Sequence, residues 1–283
     1  MPKLSIIIPA RDEAANLGAV LTGIRRQLPD AELIVVDDGS TDDTGRIAMD
    51  AGAHVVRHPQ ALGNGAAIKA GARRAGGDVL VFMDGDGQHD PADIPGLLGR
   101  IDTGYSMAVG ARSHASQASL GRSFANRFYN RLASWMTGQR IDDLTSGFRA
   151  VHADQFREFL HLLPNGFSYP TTITMAFFRS GYPVGYVPII AGKRLGKSHI
   201  KPLQDGLRFL LIIFKIGTLY SPIKLFGPIS LLFLLSGLSN YIYTFINGHR
   251  FTNMSALLLS AAVIVFLVGL VSEQITALMY QKQ

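Results

Sequence analysis

Residues 79–89 read VLVFMDGDGQH, and this stretch decides the fold because a short apolar run gives way at once to acids and glycines. The run over 79–83 is typical of a strand that is buried on both faces, as in parallel sheets. Asp84, Asp86 and Gln88 follow at alternate positions, separated by glycines that let a ligand approach the backbone. The stretch therefore predicts a buried strand whose carboxyl end carries a polar site.

The same alternation of elements extends through the first two hundred residues. Four more β-rich runs predict strands at Leu4–Pro9, Glu32–Asp37, His54–Arg57 and Met107–Gly110. The stretches between them predict helices at Ala14–Gln27, Thr41–Ala51, Gly65–Ala75 and Ile94–Ile101. Strands that recur roughly every 20–28 residues indicate an α/β, Rossmann-like fold with a mostly parallel sheet covered on both faces. In such sheets ligands bind beyond the carboxyl ends of the strands.

Acids follow three of these strands. The first strand leads into residues 9–13, PARDE, and the second ends in residues 37–40, DDGS. Buried carboxylates are costly unless a metal or hydrogen bonds satisfy them, so acids at one sheet edge favour a hard cation that bridges a diphosphate. Residues 37–40 alone also fit a turn with a helix N-cap, and an Asp-x-Asp pair alone is frequent. Their order at successive strand ends favours a nucleotide-diphosphate site.

Composition excludes several classes of protein. The chain has 283 residues, of which 47% are hydrophobic and 17% charged, so it has ample apolar surface for a core. The absence of cysteine excludes a disulfide scaffold, a thiolate nucleophile and a cysteine-based metal site. The net charge of +6 lies wholly in residues 191–227, which hold seven basic residues against one acid. A basic excess so confined is a local feature, and no nucleic-acid partner is expected.

Two apolar segments end the chain. Residues 228–246 and 254–272 are uncharged and, at ~1.5 Å per residue, each spans about the ~30 Å hydrocarbon core of a bilayer. A pair of core helices in a soluble protein is the alternative, but neither segment has a polar face. The preceding basic stretch places the N-terminal part on the cytoplasmic side of a multi-pass protein of the cytoplasmic membrane. Small residues on the first span, Ser236, Gly237 and Ser239, suit packing between protomers of a homo-oligomer.

Between the two parts lies an amphipathic stretch. Leu207, Leu210, Leu211 and Phe214 recur at helical spacing, which predicts a helix in the headgroup layer or one packed on the soluble part. Pro222 and Pro228 are expected to separate this helix from the first apolar span.

Five motifs, taken in their order along the chain, resemble those of a known protein family. Residues 6–13 (IIIPARDE), 35–40 (VVDDGS) and 83–88 (MDGDGQ) resemble the family 2 glycosyltransferases, which have a GT-A fold. Residues 143–149 (DLTSGFR) and 194–198 (RLGKS) resemble its polyprenyl-phosphate branch, typified by dolichol-phosphate mannose synthase. The C-terminal hairpin is similar to that of bacterial members of this branch.

The resemblance covers essentially the whole chain and implies its domain organisation. It implies a GT-A glycosyltransferase domain over 1–200, amphipathic juxtamembrane helices over 201–227 and a transmembrane hairpin over 228–283. The expected partners are a nucleotide sugar, a polyprenyl phosphate and the lipid bilayer.

The family pattern also implies where the nucleoside binds. Pro9, Arg11 and Glu13 are expected near the nucleoside, and Val36 and Asp38 are expected to hold the base. Arg11 stands where the family commonly has an aromatic residue, so the base-stacking contribution of this position is in question.

The resemblance assigns the diphosphate to the third motif. Asp84, Gly85 and Asp86 are expected at the ribose and diphosphate, and Asp86 and Gln88 on Mg²⁺ or Mn²⁺, with Asp84 as a further candidate ligand. A second nucleotide-sugar contact is expected from Arg194 and Lys197, in a loop able to close over the diphosphate. Attraction to anionic lipid is the alternative for these two basic residues.

The implied reaction is inverting transfer of a hexose from a donor of the UDP-glucose or GDP-mannose type, with Asp86 among the catalytic residues. A polyprenyl phosphate with a second pKa near ~6 is mostly a dianion, so it needs cations more than a base. Arg112 and Arg122 are the expected phosphate clamp. Asp143 is expected to organise the site. Two further catalytic residues, Ser146 and Arg149, lie in the run that lines the sugar and acceptor pocket in relatives.

Two other functions remain open on the sequence. A glycosyltransferase that acts on a lipid or polysaccharide hydroxyl would need a general base, for which Asp143 is the candidate. A non-catalytic membrane subunit that binds a nucleotide sugar is the third possibility. His89 follows Gln88, and contact with the site is one alternative for it; a loop histidine with satisfied hydrogen bonds is the expectation.

Overall fold

The computed structural model describes residues 3–112, 120–166, 168–190, 192, 214 and 217–280, with only the backbone of 120–126. The chain divides into two compact units, Met1–His199 and Ile200–Gln283.

The first unit alternates strands and helices as the sequence predicts. The strands are β1 (Leu4–Ala10), β2 (Glu32–Asp37), β3 (His54–Arg57), β4 (Val79–Phe82), β5 (Met107–Arg112), β6 (Arg149–His152) and β7 (Val184–Ile189). The helices are α1 (Ala14–Gln27), α2 (Thr44–Asp50), α3 (Asn64–Arg74), α4 (Ile94–Asp102), α5 (Leu120–Thr137), α6 (Ala153–Glu158) and α7 (Tyr169–Arg179). A 3₁₀ turn, Pro91–Asp93, precedes α4.

The seven strands form one sheet in the order β3-β2-β1-β4-β6-β5-β7. β1 to β4 pair in parallel, as do β5 and β7, whereas β6 is antiparallel to both of its neighbours. The sheet is therefore mostly parallel, which confirms the predicted α/β, GT-A-like fold class. β6 and β7 were not among the predicted strands. Their pairing partners lie far away in sequence, and a local pattern does not reveal them.

Helices on both faces explain the apolar strands. Ile6, Ile7 and Ile8 are fully buried although their side chains alternate between the two faces of the sheet. On one face, α3 lies very close to β1 because Gly71 has no side chain. A Cβ added at Gly71 would lie 2.3 Å from Cγ2 of Ile7. This close approach places the N-terminus of α3 beside the carboxyl ends of β1 and β2.

The contact between Gly71 and Ile7 yields a stability prediction. Gly71→Ala should lower the free energy of unfolding by about 1–3 kcal/mol, because overpacking outweighs the better helix propensity of alanine. Gly99→Ala is the matched control, since a Cβ at Gly99 in α4 meets nothing within 4 Å. That control should be neutral or stabilising by up to about 1 kcal/mol. Thermal unfolding of the detergent-purified variants measures both, and equal behaviour would contradict the prediction.

The second unit contains two long apolar helices, α8 (Pro222–Gly248) and α9 (Asn253–Met279). Each has 27 residues and is long and apolar enough to cross a membrane. Pro228 lies inside α8, so the expectation that it separates two elements was wrong. Membrane helices tolerate proline because neighbouring groups satisfy the freed backbone carbonyl. Of the amphipathic segment predicted over 201–227, residues 201–213, 215 and 216 lie outside the described residues.

Small and hydroxyl-bearing residues line the contact between α8 and α9. Their buried positions recur every seven residues: Ser230 and Gly237 on α8, and Ser255, Ala262, Gly269 and Thr276 on α9. A seven-residue period is typical of helices that wrap around each other with a left-handed crossing. Gly237, predicted to pack between protomers, instead lies against Leu259 within the hairpin. Ser236 and Ser239 are exposed, and the homo-oligomer stays a prediction.

Hydrogen bonds join the two helices at two levels. Near the turn, Oδ1 of Asn240 accepts from Oγ of Ser255 at 2.8 Å and from Oγ1 of Thr252 at 3.2 Å. Further along, Oγ of Ser230 donates to the backbone carbonyl of Ala262 at 2.8 Å. Small residues and such bonds are what hold helices together where water supplies no hydrophobic drive.

Candidate active site

The carboxyl ends of β1, β2, β4 and β5 border a cavity of about 510 Å³ in the first unit. The residues predicted for the site that line it are Pro9, Arg11, Glu13, Asp38, Asp84, Gly85, Asp86, Gln88 and Arg112. Nine further residues line the cavity that were not assigned to the site from the sequence: Ala10, Gly63, Asn64, Ala67, His89, Thr145, Gly147, Gly166 and Pro170. The predicted acids therefore do meet at one edge of the sheet.

The loop after β4 is folded back so that its acids face the cavity. Gly87 has φ of +74°, a left-handed conformation that glycine adopts without strain. Beyond it, the backbone N–H of Gln88 donates to Oδ1 of Asp86 at 3.1 Å. The backbone of Gly147 approaches Asp84 so closely that a Cβ there would lie 3.2 Å from Oδ2 of Asp84. The carboxylate beside it therefore favours glycine at this position of the run 143–149.

Asp38 shapes the wall of the cavity on the side of β2. Its carboxylate accepts from the backbone N–H groups of Leu62 at 2.9 Å and Gly63 at 2.8 Å, and Nδ1 of His58 lies 2.7 Å from it. Burial opposes ionisation, but these hydrogen bonds outweigh it and hold the pKa of Asp38 below its ordinary value. Asp38 thus fixes the loop that precedes α3. Val36, predicted to hold the base with Asp38, is fully buried in β2 and is not among the cavity-lining residues.

A distant loop completes the wall at the start of α3. The backbone carbonyl of Asn165 accepts from the N–H of Ala66 at 3.0 Å, and Nζ of Lys69 donates to Oδ1 of Asn165 at 2.6 Å. Gly65 makes this possible, because a Cβ there would lie 2.0 Å from the carbonyl oxygen of Pro164. In the sequence, this contact is indicated by the glycines around Asn64, but such glycines fit an ordinary loop equally well.

Arg112 and Asp143 form a bidentate ion pair. Nε of Arg112 donates to Oδ2 of Asp143 at 2.8 Å, and Nη2 donates to Oδ1 at 3.1 Å and to Oγ1 of Thr145 at 2.7 Å. Asp143 also accepts from the backbone N–H groups of Thr145 and Ser146. Burial raises the cost of its charge, yet the hydrogen bonds and charge of Arg112 hold the pKa of Asp143 below its ordinary value. A carboxylate held in this way is a poor proton acceptor.

Ser146 and Arg149 lie beneath the cavity and do not line it. Arg149 is fully buried, and it donates to the backbone carbonyls of Ser146 and Pro170 and to Oγ1 of Thr174. Burial lowers the pKa of Arg149. The sequence motif placed both side chains in the sugar and acceptor pocket. Because β6 begins at Arg149 between β4 and β5, the side chain is enclosed and joins the loop before β6 to the start of α7.

Three predicted site residues cannot be placed by their side chains. Arg122 lies in the part of α5 for which only the backbone is described, and Arg194 and Lys197 lie outside the described residues. Their assigned contacts with phosphate stay predictions.

His89 differs from its expectation. The residue is 7% exposed, and its ring stacks on Phe148, with centroids 5.0 Å apart and planes at 16°. It lines the cavity, and its Nδ1 is buried without a hydrogen-bond partner. The expectation of a loop histidine with satisfied hydrogen bonds was therefore wrong.

Comparison with known proteins identifies the class of protein. The family model described as Glycosyl transferase family 2 matches residues 5–161, and the model described as the GtrB C-terminal hairpin matches residues 221–278. A crystal structure of glucosyl-3-phosphoglycerate synthase from Mycobacterium tuberculosis, in complex with Mn²⁺, UDP and phosphoglyceric acid, superposes with a TM-score of 0.62. It is 25% identical, and the match covers 76% of this chain and 78% of that one. The family model and the fold are those of a glycosyltransferase.

Relatives with described activities extend over most of the chain. The polyprenol monophosphomannose synthase of Mycolicibacterium smegmatis is 30% identical over 72% of this chain and 86% of its own length. The undecaprenyl-phosphate mannosyltransferase of Micrococcus luteus is 33% identical over 68% of this chain and 85% of its own length. The chain belongs to glycosyl transferase family 2.

The ion pair of Asp143 yields a prediction about stability and pH. Because its folded pKa lies below the ordinary 3.8, ionised Asp143 stabilises the fold above that pH and the contribution is lost as the pH falls through the folded value. Asp143→Asn should lower the free energy of unfolding by about 3 kcal/mol at pH 7, with the difference shrinking below pH 3.8. Thermal unfolding from pH 7 to pH 3 measures this.

The control is the neighbouring Asp142→Asn. Asp142 pairs with Arg140, whose side chain is 88% exposed, so this variant should cost no more than about 1 kcal/mol. A deficit in Asp143→Asn that is as large at pH 3 as at pH 7 would contradict the prediction.

Proposed function

We propose that this protein transfers a hexose from a nucleotide sugar to a polyprenyl phosphate, with inversion, at a membrane surface. The observation that carries the proposal is that oxygen ligands for a cation and an arginine for a phosphate line the same cavity, in a chain with an apolar helical hairpin. The relatives named for polyprenol and undecaprenyl phosphate support the choice of acceptor.

The donor is proposed to bind where the acids meet. Asp84, Asp86 and Gln88 offer only oxygen ligands, which Mg²⁺ and Mn²⁺ prefer. Within the described residues, no group of three or more histidines and acids is arranged to hold a metal. A cation held by one or two carboxylates together with diphosphate oxygens and water needs no such group. The residues therefore fit a cation that binds together with the nucleotide sugar.

Each part of the site then has a defined task. When bound, the cation stabilises the negative charge that develops on the leaving nucleoside diphosphate. Asp86 and Gln88 orient the diphosphate, and Glu13 and Arg11 border the nucleoside side of the cavity. The loop fixed by Asp38 encloses the base.

The acceptor chemistry matches the ion pair on the other side. A lipid phosphate is already mostly a dianion at neutral pH, so transfer requires positioning and charge compensation, not proton removal. Arg112 lines the cavity while Asp143 holds its guanidinium in place. The low pKa of Asp143 favours this organising role over that of a general base, and so favours phosphate over a hydroxyl as acceptor.

Helix α5 supports a membrane-bound acceptor. Phe128 and Trp135 are 54% and 52% exposed and lie two turns apart, with the exposed Arg127 and Arg131 on the same helix. Exposed aromatic and basic residues on one helix suit the headgroup layer of a bilayer. We place the catalytic unit on the cytoplasmic side, as the basic stretch over 191–227 indicates.

The decisive test is a transfer assay on detergent-purified protein. Polyprenyl phosphate, Mn²⁺ or Mg²⁺ and a panel of radiolabelled nucleotide sugars are incubated, and the products are extracted into organic solvent. Label should enter the organic phase with one donor and be released by mild acid, because the product is a phosphodiester that joins the lipid to the anomeric carbon of the sugar. Label that stays aqueous with every donor, while UDP or GDP still binds, would refute the proposed acceptor.

Asp86 tests the donor side. Asp86→Asn should reduce kcat by about 100-fold or more, since the carboxylate that helps to compensate the diphosphate charge is lost. Asp90→Asn is the control, because Asp90 caps the 3₁₀ turn outside the cavity and asparagine caps equally well. Excess chelator should abolish transfer by the unmodified protein, and transfer that persists in chelator would count against a cation.

A further inference from the structure

His89 is a buried imidazole in the cavity wall for which the proposed function has no task. Its ring is held in place by stacking on Phe148, and only 7% of the residue is exposed. Nδ1 is buried and has no hydrogen-bond partner. Nε2 is not one of the described side-chain atoms that are both buried and without a partner. Since the ring lines the cavity, Nε2 is the nitrogen that faces it.

The proton on Nε2 follows from the surroundings of the ring. A buried N–H without an acceptor is rarer in proteins than a buried acceptor without a donor. The buried Nδ1 therefore carries the lone pair, and Nε2 carries the hydrogen. A protonated ring would present the same N–H to the cavity, so the donor does not depend on the charge.

His89 shares its cavity with both charged parts of the site. Asp84 and Asp86 line the same cavity, and so does Arg112. The first pair borders the proposed diphosphate position, and Arg112 borders the proposed acceptor phosphate. An N–H donor in this place can bind an anionic oxygen.

We propose that Nε2 of His89 donates a hydrogen bond to a phosphate oxygen in the cavity. This inference rests on the proposed function, which supplies two sources of that oxygen: the diphosphate of the donor and the phosphate of the lipid acceptor. The hydrogen bond holds the phosphate in the cavity that Asp86 and Arg112 also line, and it makes His89 a binding residue of the reaction.

Two substitutions separate the hydrogen bond from the packing of the ring. His89→Phe keeps an aromatic ring on Phe148 and removes the donor, whereas His89→Gln places an amide N–H near the position of Nε2. The matched control is His152→Phe, because His152 precedes α6 at the opposite edge of the sheet, where it pairs with Val79. The measurements are the Kd of UDP and of GDP with Mn²⁺ by calorimetry, the KM for polyprenyl phosphate, and thermal unfolding.

Loss of a hydrogen bond to a charged group should weaken one of these affinities by about 10- to 100-fold in His89→Phe. His89→Gln should recover most of that loss, and His152→Phe should change none of the affinities. Weaker binding of the nucleoside diphosphate assigns the hydrogen bond to the donor. A raised KM for polyprenyl phosphate with unchanged nucleotide binding assigns it to the acceptor.

Two results would overturn the inference. One is a His89→Phe protein whose nucleotide Kd and lipid-phosphate KM both stay within about twofold of the unmodified protein, a change too small for a lost hydrogen bond to a charged group. The other is a His89→Gln protein that loses as much affinity as His89→Phe, since an N–H donor at this position would then restore no binding. If the unmodified protein makes no lipid-linked product, the proposed acceptor fails, and the calorimetric measurement still decides whether His89 binds a diphosphate.

Discussion

Carboxylates gathered at the carboxyl ends of parallel strands repel one another unless cations or hydrogen-bond donors surround them. In this protein the surrounding groups are also the walls of the site. Asp38 is held by the N–H groups of the loop before α3, and Asp143 by the guanidinium of Arg112. Asp38 and Asp143 therefore organise the walls around Asp84 and Asp86, the two acids that we propose to hold the cation.

The two units of the chain are stabilised by different physics. The first buries the apolar strands of its sheet under helices and depends on water for its hydrophobic drive. The hairpin presents large apolar side chains outward, such as Leu232 at 65% exposure, and packs its inner face through small residues. The buried sheet suits water as the solvent, and the hairpin with its apolar outer face suits a bilayer. An enzyme that joins a water-soluble sugar donor to a lipid acceptor requires both.

The glycines of the first unit mark where chain segments meet. Gly65 admits the carbonyl of Pro164, Gly71 admits Ile7, and Gly147 admits the carboxylate of Asp84. Two of these three contacts join segments that border the cavity. Close approach of backbone to backbone and of backbone to carboxylate thus builds the walls, and the charged side chains then only need to point inward.

The sequence by itself determined the strands β1 to β5, the acids that follow them and the two apolar spans, because each is a local pattern of apolar, acidic and glycine residues. Only the tertiary structure determined which side chains are in contact around β6. Arg149 is buried there although its motif predicted a pocket residue, and Asp143 engages Arg112 from a segment about thirty residues away. His89 likewise takes its role from Phe148, which the fold brings beneath it. Periodicity and composition describe a segment and its own faces, whereas the partner across a sheet is chosen by the packing of the whole chain.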